Sequence, residues 1–157
     1  MQINKRKNQK GFSVVEIILA AGLFTIFSAS AITLFIQSLE SNRQDEQRER
    51  ATTYASEGIE AVRAIRDGSF DDLDDTNGAG LKFSNGKWSF DGAHDNLDIF
   101  QRMVTVSPVQ RDGQADIIAS GGTSDLDMKK VTVEVSWTSS YQKKVSVDFT
   151  TYLSRWK

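Results

Sequence analysis

Cysteine is absent from this chain of 157 residues, and proline and histidine occur once each, as Pro108 and His94. The missing thiols exclude a disulfide framework and a thiolate-held metal centre, although they do not say on which side of a membrane the chain works. His94 stands among Asp91, Asp95 and Asp98 in a stretch that reads as a polar loop, and no nucleophile-and-base pair accompanies it, so catalysis and metal binding are not expected there. Gly121-Gly122 lacks the lysine and the strand-to-helix setting of a phosphate loop and reads as a plain loop. A large charge of one sign is missing too: the net charge of -2 provides no field for capturing nucleic acid. These absences argue against an enzyme, name no cofactor, and leave a structural or binding role.

What is present is unevenly distributed. Residues 1–11 carry Lys5, Arg6, Lys7 and Lys10 with no acid, the composition of a flank retained in the cytoplasm. Residues 12–36 form an apolar run of about 25 residues, long enough as a helix to cross a hydrocarbon core of about 30 Å. Its one ionisable side chain is Glu16. Ser28-Ala29-Ser30-Ala31 could imitate a signal-peptide cleavage site, but Ile32, Leu34, Phe35 and Ile36 continue the run beyond it, which predicts a retained span and not an excised signal.

From residue 37 to residue 67 there is no proline and one glycine, and the pattern turns amphipathic. Ala51, Tyr54, Ala55, Gly58, Ile59, Val62 and Ile65 recur at three-and-four spacing, one stripe on a helix. Residues 40–50 mix charges of both signs and read as a solvated helix just outside the membrane, with a stop at Asp67-Gly68-Ser69. Residues 68–157 form the globular head, in which the period switches to two. Residues 81–84 and 87–90 flank Asn85-Gly86 and predict a tight hairpin with Phe83 opposite Trp88 and Leu81 opposite Phe90. Further strands are predicted over 100–107, 130–137 and 143–153, each with one apolar and one polar face. Trp88, Trp137 and Trp156 read as core or sheet residues, not as ligand platforms. The expected architecture is α+β: a long N-terminal helix, half transmembrane and half amphipathic, packed on a four-stranded antiparallel sheet.

The residues Lys10-Gly11-Phe12-Ser13-Val14-Val15-Glu16-Ile17-Ile18-Leu19, a basic leader ending in glycine followed by phenylalanine and an acid at the start of an apolar helix, resemble the signal of type IV prepilins and pseudopilins. That resemblance implies removal of residues 1–11 by a prepilin peptidase acting between Gly11 and Phe12, and N-methylation of Phe12. It also implies a pilin-like fold, a subunit of a homo- or heteropolymeric filament, and indirect dealings with an inner-membrane assembly platform and its ATPase. The N-terminus would be cytoplasmic and the head extracytoplasmic, reaching the periplasm or the cell exterior once assembled. Residues 55–63 also look like a stretch met in some minor pilin-like proteins. The chain departs from many major pilins in having no proline inside the apolar segment and no disulfide-closed loop, which points to a minor pilin or pseudopilin. The rival is a singly anchored extracytoplasmic binding or adhesive domain that never polymerises, and it requires an uncut N-terminus.

An acid at the centre of a membrane helix costs about 2.5–3.5 kcal/mol on insertion scales and less near an end. Cleavage before Phe12 would place an α-amino group at the positive end of the helix dipole, with Glu16 four residues on and able to offset it. In a filament the same carboxylate could pair with the Phe12 amine of a neighbour and so fix axial register. The plainer alternative is a glutamate snorkelling to the interface without a partner. The acidic loop supplies Asp72, Asp74, Asp75 and Asn77 as oxygen ligands that would suit calcium, but the EF-hand register fails at Leu73 and Ser84, and a solvated turn is the simpler reading.

Overall fold

The computed structural model describes residue 11 and residues 13–155. One α-helix, α1 (Val14–Gly68), precedes seven β-strands: β1 (Thr76–Ser84), β2 (Lys87–Asp91), β3 (Asp95–Leu97), β4 (Phe100–Arg111), β5 (Ile117–Ile118), β6 (Thr123–Thr138) and β7 (Lys144–Ser154). A single 3-10 turn, Phe70–Asp72, lies between the helix and the first strand. The chain divides into two compact units, Met1–Arg43 and Gln44–Lys157.

Among the described residues of the first unit α1 is the only element, and its apolar window has a mean hydropathy of 2.2 with no residue buried. It is long and apolar enough to cross a membrane. Three of its hydroxyls bond within the helix: those of Thr25, Ser30 and Thr33 donate to the carbonyls of Gly22, Ile26 and Ala29 at 2.7, 3.0 and 3.0 Å. In a membrane span hydroxyls need such partners, and the nearest are the carbonyls one turn back.

In the second unit α1 buries Ala51, Ala55, Gly58, Ile59, Ala61, Val62 and Ile65. The small residues let the helix lie close to the sheet. A Cβ on Gly58 would come within 2.8 Å of Val133 Cγ1 and 3.1 Å of Arg102 Cδ, so only glycine fits there without movement. The sheet runs β2-β1-β4-β6-β7, with β3 and β5 attached to β4. All pairings are antiparallel. Alternation sends Val104, Val106, Val131, Val133 and Val135 into the core against the helix. On the far face Thr132 and Thr150 share a hydrogen bond of 3.0 Å.

The α+β arrangement of a long helix on an antiparallel sheet is as expected, but the sheet has seven strands instead of four: all five predicted runs, both arms of the hairpin included, join one sheet, and β3 and β5 are added to it. β3 and β5 are three and two residues long, too short to show a period, and exist because β4 offers ladder partners. The strands expected over 100–107 and 130–137 extend to Arg111 and back to Thr123. Pro108 marks the place where the β4–β6 register shifts, consistent with a residue that cannot donate to the ladder. β1 begins at Thr76, so Asn77 lies in a strand and not in the acidic loop. The hairpin has the expected register, Phe83 opposite Trp88 and Leu81 opposite Phe90, with Asn85 at φ 52° and Gly86 at φ 76°.

Candidate functional site

Glu16 falls in the first turn of α1, whose start is marked by the Ile17 N–H donating to the Ser13 carbonyl at 3.2 Å. It shares one exposed face with Ile17, Ala20, Ala21 and Phe24. Among the described residues nothing donates to its carboxylate. The arrangement is a lone acid at the positive end of a helix dipole, with apolar walls made by small alanines and a phenylalanine, and it suits an incoming cation borne on an apolar surface. Around it Val14, Leu19, Leu23, Phe24, Ile26 and Phe27 are each more than 60% exposed, so this face must be covered by lipid or by protein. Gly11 is exposed. Phe12, and with it the proposed cleavage junction and methylation site, lies outside the described residues, as does Trp156.

The candidate calcium ligands are not brought together. Asp75 is held by Lys129 Nζ at 2.7 Å, and Asn77 is carried off in β1. Asp72 and Asp74 are exposed, and among the described residues no group of three or more histidines or acids is placed to hold a metal ion. Neighbouring Asp71 accepts from Arg155 Nη2 at 2.7 Å, and that guanidinium also stacks on Phe70, 4.5 Å from the ring centroid. The hydrogen bond from Arg155, with its Coulomb attraction second, holds the Asp71 carboxyl below its ordinary value. The loop is therefore a set of charge clasps onto the sheet. His94 is exposed before β3. Trp137 is buried, and its indole N–H donates to Gln47 Oε1 at 3.2 Å, while Trp88 packs against Phe83 at 5.1 Å between ring centroids.

One polar cluster went unforeseen. Arg102, 1% exposed, lies among the core valines. Its Nη2 donates to Asp95 Oδ2 at 2.8 Å, its Nε to Asp95 Oδ1 at 3.3 Å, and its Nη1 to the Tyr54 carbonyl at 3.2 Å. Glu57 stands 3.8 Å away, and Asp95 Oδ1 also accepts the Leu81 N–H at 3.0 Å. Four elements, α1, β1, β3 and β4, meet at this one ion pair. A signal was present in the sequence: Arg102 shares the parity of Phe100, Val104 and Val106 and so sits at an inward strand position. A second clasp joins Arg111 to Asp125 at 2.7 Å, and that bond, followed by one from the Asp127 N–H, holds the Asp125 carboxyl below its ordinary value.

Neither a protein-family model, nor a curated protein, nor a solved structure matches this chain. The functional reading therefore rests on the residues and their placement.

Proposed function

We propose that this chain is a type IV pilin-like structural subunit, a minor pilin or pseudopilin, made as a membrane-anchored precursor and assembled into a pilus or a secretion pseudopilus. The observation that carries the reading is the run Gly11-Phe12-Ser13-Val14-Val15-Glu16 leading into an apolar helix with no buried residue, whose continuation carries a folded head. Removal of the leader by a prepilin peptidase between Gly11 and Phe12 and methylation of Phe12 leave the apolar helix in place. The exposed face around Glu16 then has two covers in turn, lipid before assembly and neighbouring subunits after it.

Glu16 selects among subunit alignments. In a bundle of apolar helices an unpaired carboxylate is penalised heavily, and the Phe12 amine of a neighbour is a cation that would relieve it. Only subunits offset so that the two groups meet are accepted. The mechanism is assembly, with no chemistry of the chain's own.

The test is mass spectrometry of the chain produced in a host that carries a prepilin peptidase. The expected product begins at N-methylated Phe12, and a mature chain still beginning at Met1 would establish a singly anchored, non-polymerising domain in its place. Glu16→Val should be cut and inserted normally yet fail to enter filaments. Normal incorporation of that variant refutes the pairing.

A further inference from the structure

Both edges of the sheet in the unit Gln44–Lys157 are open, and their sequences match. β2 and β7 end the path β2-β1-β4-β6-β7, and each pairs with one strand only. β7 is the longer: its pairing with β6 runs from Thr138↔Lys144 to Met128↔Ser154 without a register shift, and it holds no proline. Natural edges of that length are usually blunted by a proline, a bulge or several charges, and after Lys144 this strand carries only Asp148. The core is also unfinished at both edges. Val104, Val133 and Val135 of the middle strands are fully buried, whereas Val145, Val147 and Phe149 of β7 and Trp88 and Phe90 of β2 are only partly buried although they pack on the same core. A strand added at either edge would cover them.

Charge decides which strand fits. Asp148 stands opposite Glu134 across the β6–β7 ladder, a like-charge pair. Among the described residues neither Asp148 nor Lys87 of β2 has an ion-pair partner. Successive strands from β2 to β7 alternate in direction, so the two edges run the same way, and β2 of a second copy standing the same way up would lie parallel to β7. β2 reads Lys-Trp-Ser-Phe-Asp and β7 begins Lys-Val-Ser-Val-Asp. With Lys87 beside Lys144 the two runs oppose like charges at both ends, and an advance of two residues pairs no charges at all. An advance of four residues, about 13 Å, brings Lys87 of the second copy beside Asp148, Trp88 beside Phe149 and Phe90 beside Thr151, with the apolar side chains all on the core side.

We infer that β7 of one subunit takes β2 of a second copy as a parallel strand, with Lys87 on Asp148, so that the heads join edge to edge. The contact is heterologous: each pairing leaves one β2 and one β7 edge open, so it propagates and does not close as a dimer. The inference rests on the filament reading and deepens it, because copies held in one membrane share the orientation that parallel pairing needs.

The absence of native cysteine permits a disulfide test on the full chain, made in a host with a prepilin peptidase and oxidised in that host's isolated membranes. Ser89 and Thr150 are exposed and become neighbours in the inferred pairing. Within one chain they lie on opposite edges of the sheet, four strand spacings or roughly 19 Å apart, beyond the reach of a disulfide. Ser89→Cys with Thr150→Cys in one chain should give a ladder of dimers, trimers and longer species, whereas each single variant stays monomeric and an equal mixture of the two stops at dimers. Ser89→Cys with Ser146→Cys, which fits the register without the advance, should give no ladder. Adding Asp148→Lys to the 89/150 chain should cut the ladder about ten-fold, and adding Lys87→Asp as well should restore it. A missing ladder, equal ladders from positions 146 and 150, single variants that dimerise as fully as the mixture, or cross-links to another protein in place of the ladder each overturn the edge pairing. Mass spectrometry of the same sample separates the two readings. A chain that begins at Phe12 and forms no ladder overturns the edge pairing alone, while a chain that begins at Met1 overturns the filament reading, and a ladder from it retains the contact between anchored heads.

Discussion

The buried ion pair offers the sharpest test of how the head is held together. Asp95→Ala would strand the Arg102 guanidinium, 2% exposed as a side chain, with two of its N–H groups lacking an acceptor, and would leave the Leu81 N–H unbonded as well. Glu57, half exposed and 3.8 Å from Nη1, is too far to take over the hydrogen bonds. Removing one partner of a buried pair costs about 3–5 kcal/mol. For a unit of this size each kcal/mol moves Tm by about 4 °C, so a fall of about 12–20 °C is expected. Thermal unfolding of the full chain in detergent, followed by near-ultraviolet circular dichroism, reads the head without interference from the apolar helix.

Two further variants isolate the cause. Arg102→Met removes the buried charge and leaves Asp95 bonded to Leu81, so it should be milder than Asp95→Ala. The loss in Asp95→Ala combined with Arg102→Met should fall short of the sum of the two single losses by about 2 kcal/mol or more. A Tm for Asp95→Ala within about 2 °C of the parent, or additive losses in the double variant, would refute the reasoning that an uncompensated buried charge controls this junction.

Gly58→Ala should destabilise the head by about 1–3 kcal/mol in chemical unfolding although alanine is the better helix former, and Val133→Ala in the same chain should restore part of the loss by clearing the contact at 2.8 Å. Gly86→Ala, at φ 76°, should cost about 1–2 kcal/mol by the same measurement, with no rescue from a partner change. The Asp71 and Asp125 carboxyls are both held below the ordinary value of about 3.9, so the stability they lend is complete above that pH and is lost as pH falls through their lower folded values. The urea midpoint should therefore drop steeply below pH 4, and Asp125→Asn should flatten the slope by removing one titrating group.

The hairpin was legible because Asn85-Gly86 accept positive φ and the flanking alternation fixes the register; the helix was legible because the three-and-four stripe runs without proline to Gly68. Both are local signals, set by the backbone preferences of neighbouring residues. The run from Gly11 to Glu16 is also a local signal, and the proposal for Glu16 comes from it. β3 and β5 had no such signal, since a two- or three-residue strand is defined by its partner and not by its own pattern.

The sequence by itself therefore determined an apolar segment able to span a membrane, an amphipathic continuation and an alternating sheet, because periods of 3.6 and 2 are written in consecutive side chains. Only the tertiary structure decided which charges meet. Asp71 lies 84 residues from Arg155, Asp75 lies 54 from Lys129, and the Tyr54 carbonyl lies 48 from Arg102, distances along the chain across which no local preference acts. In the acidic stretch, which on composition alone could have held calcium, Asp71 and Asp75 meet those two cations because the β6–β7 ladder brings Lys129 and Arg155, just past β7, to the same end of the sheet, while Asn77 is carried into a strand.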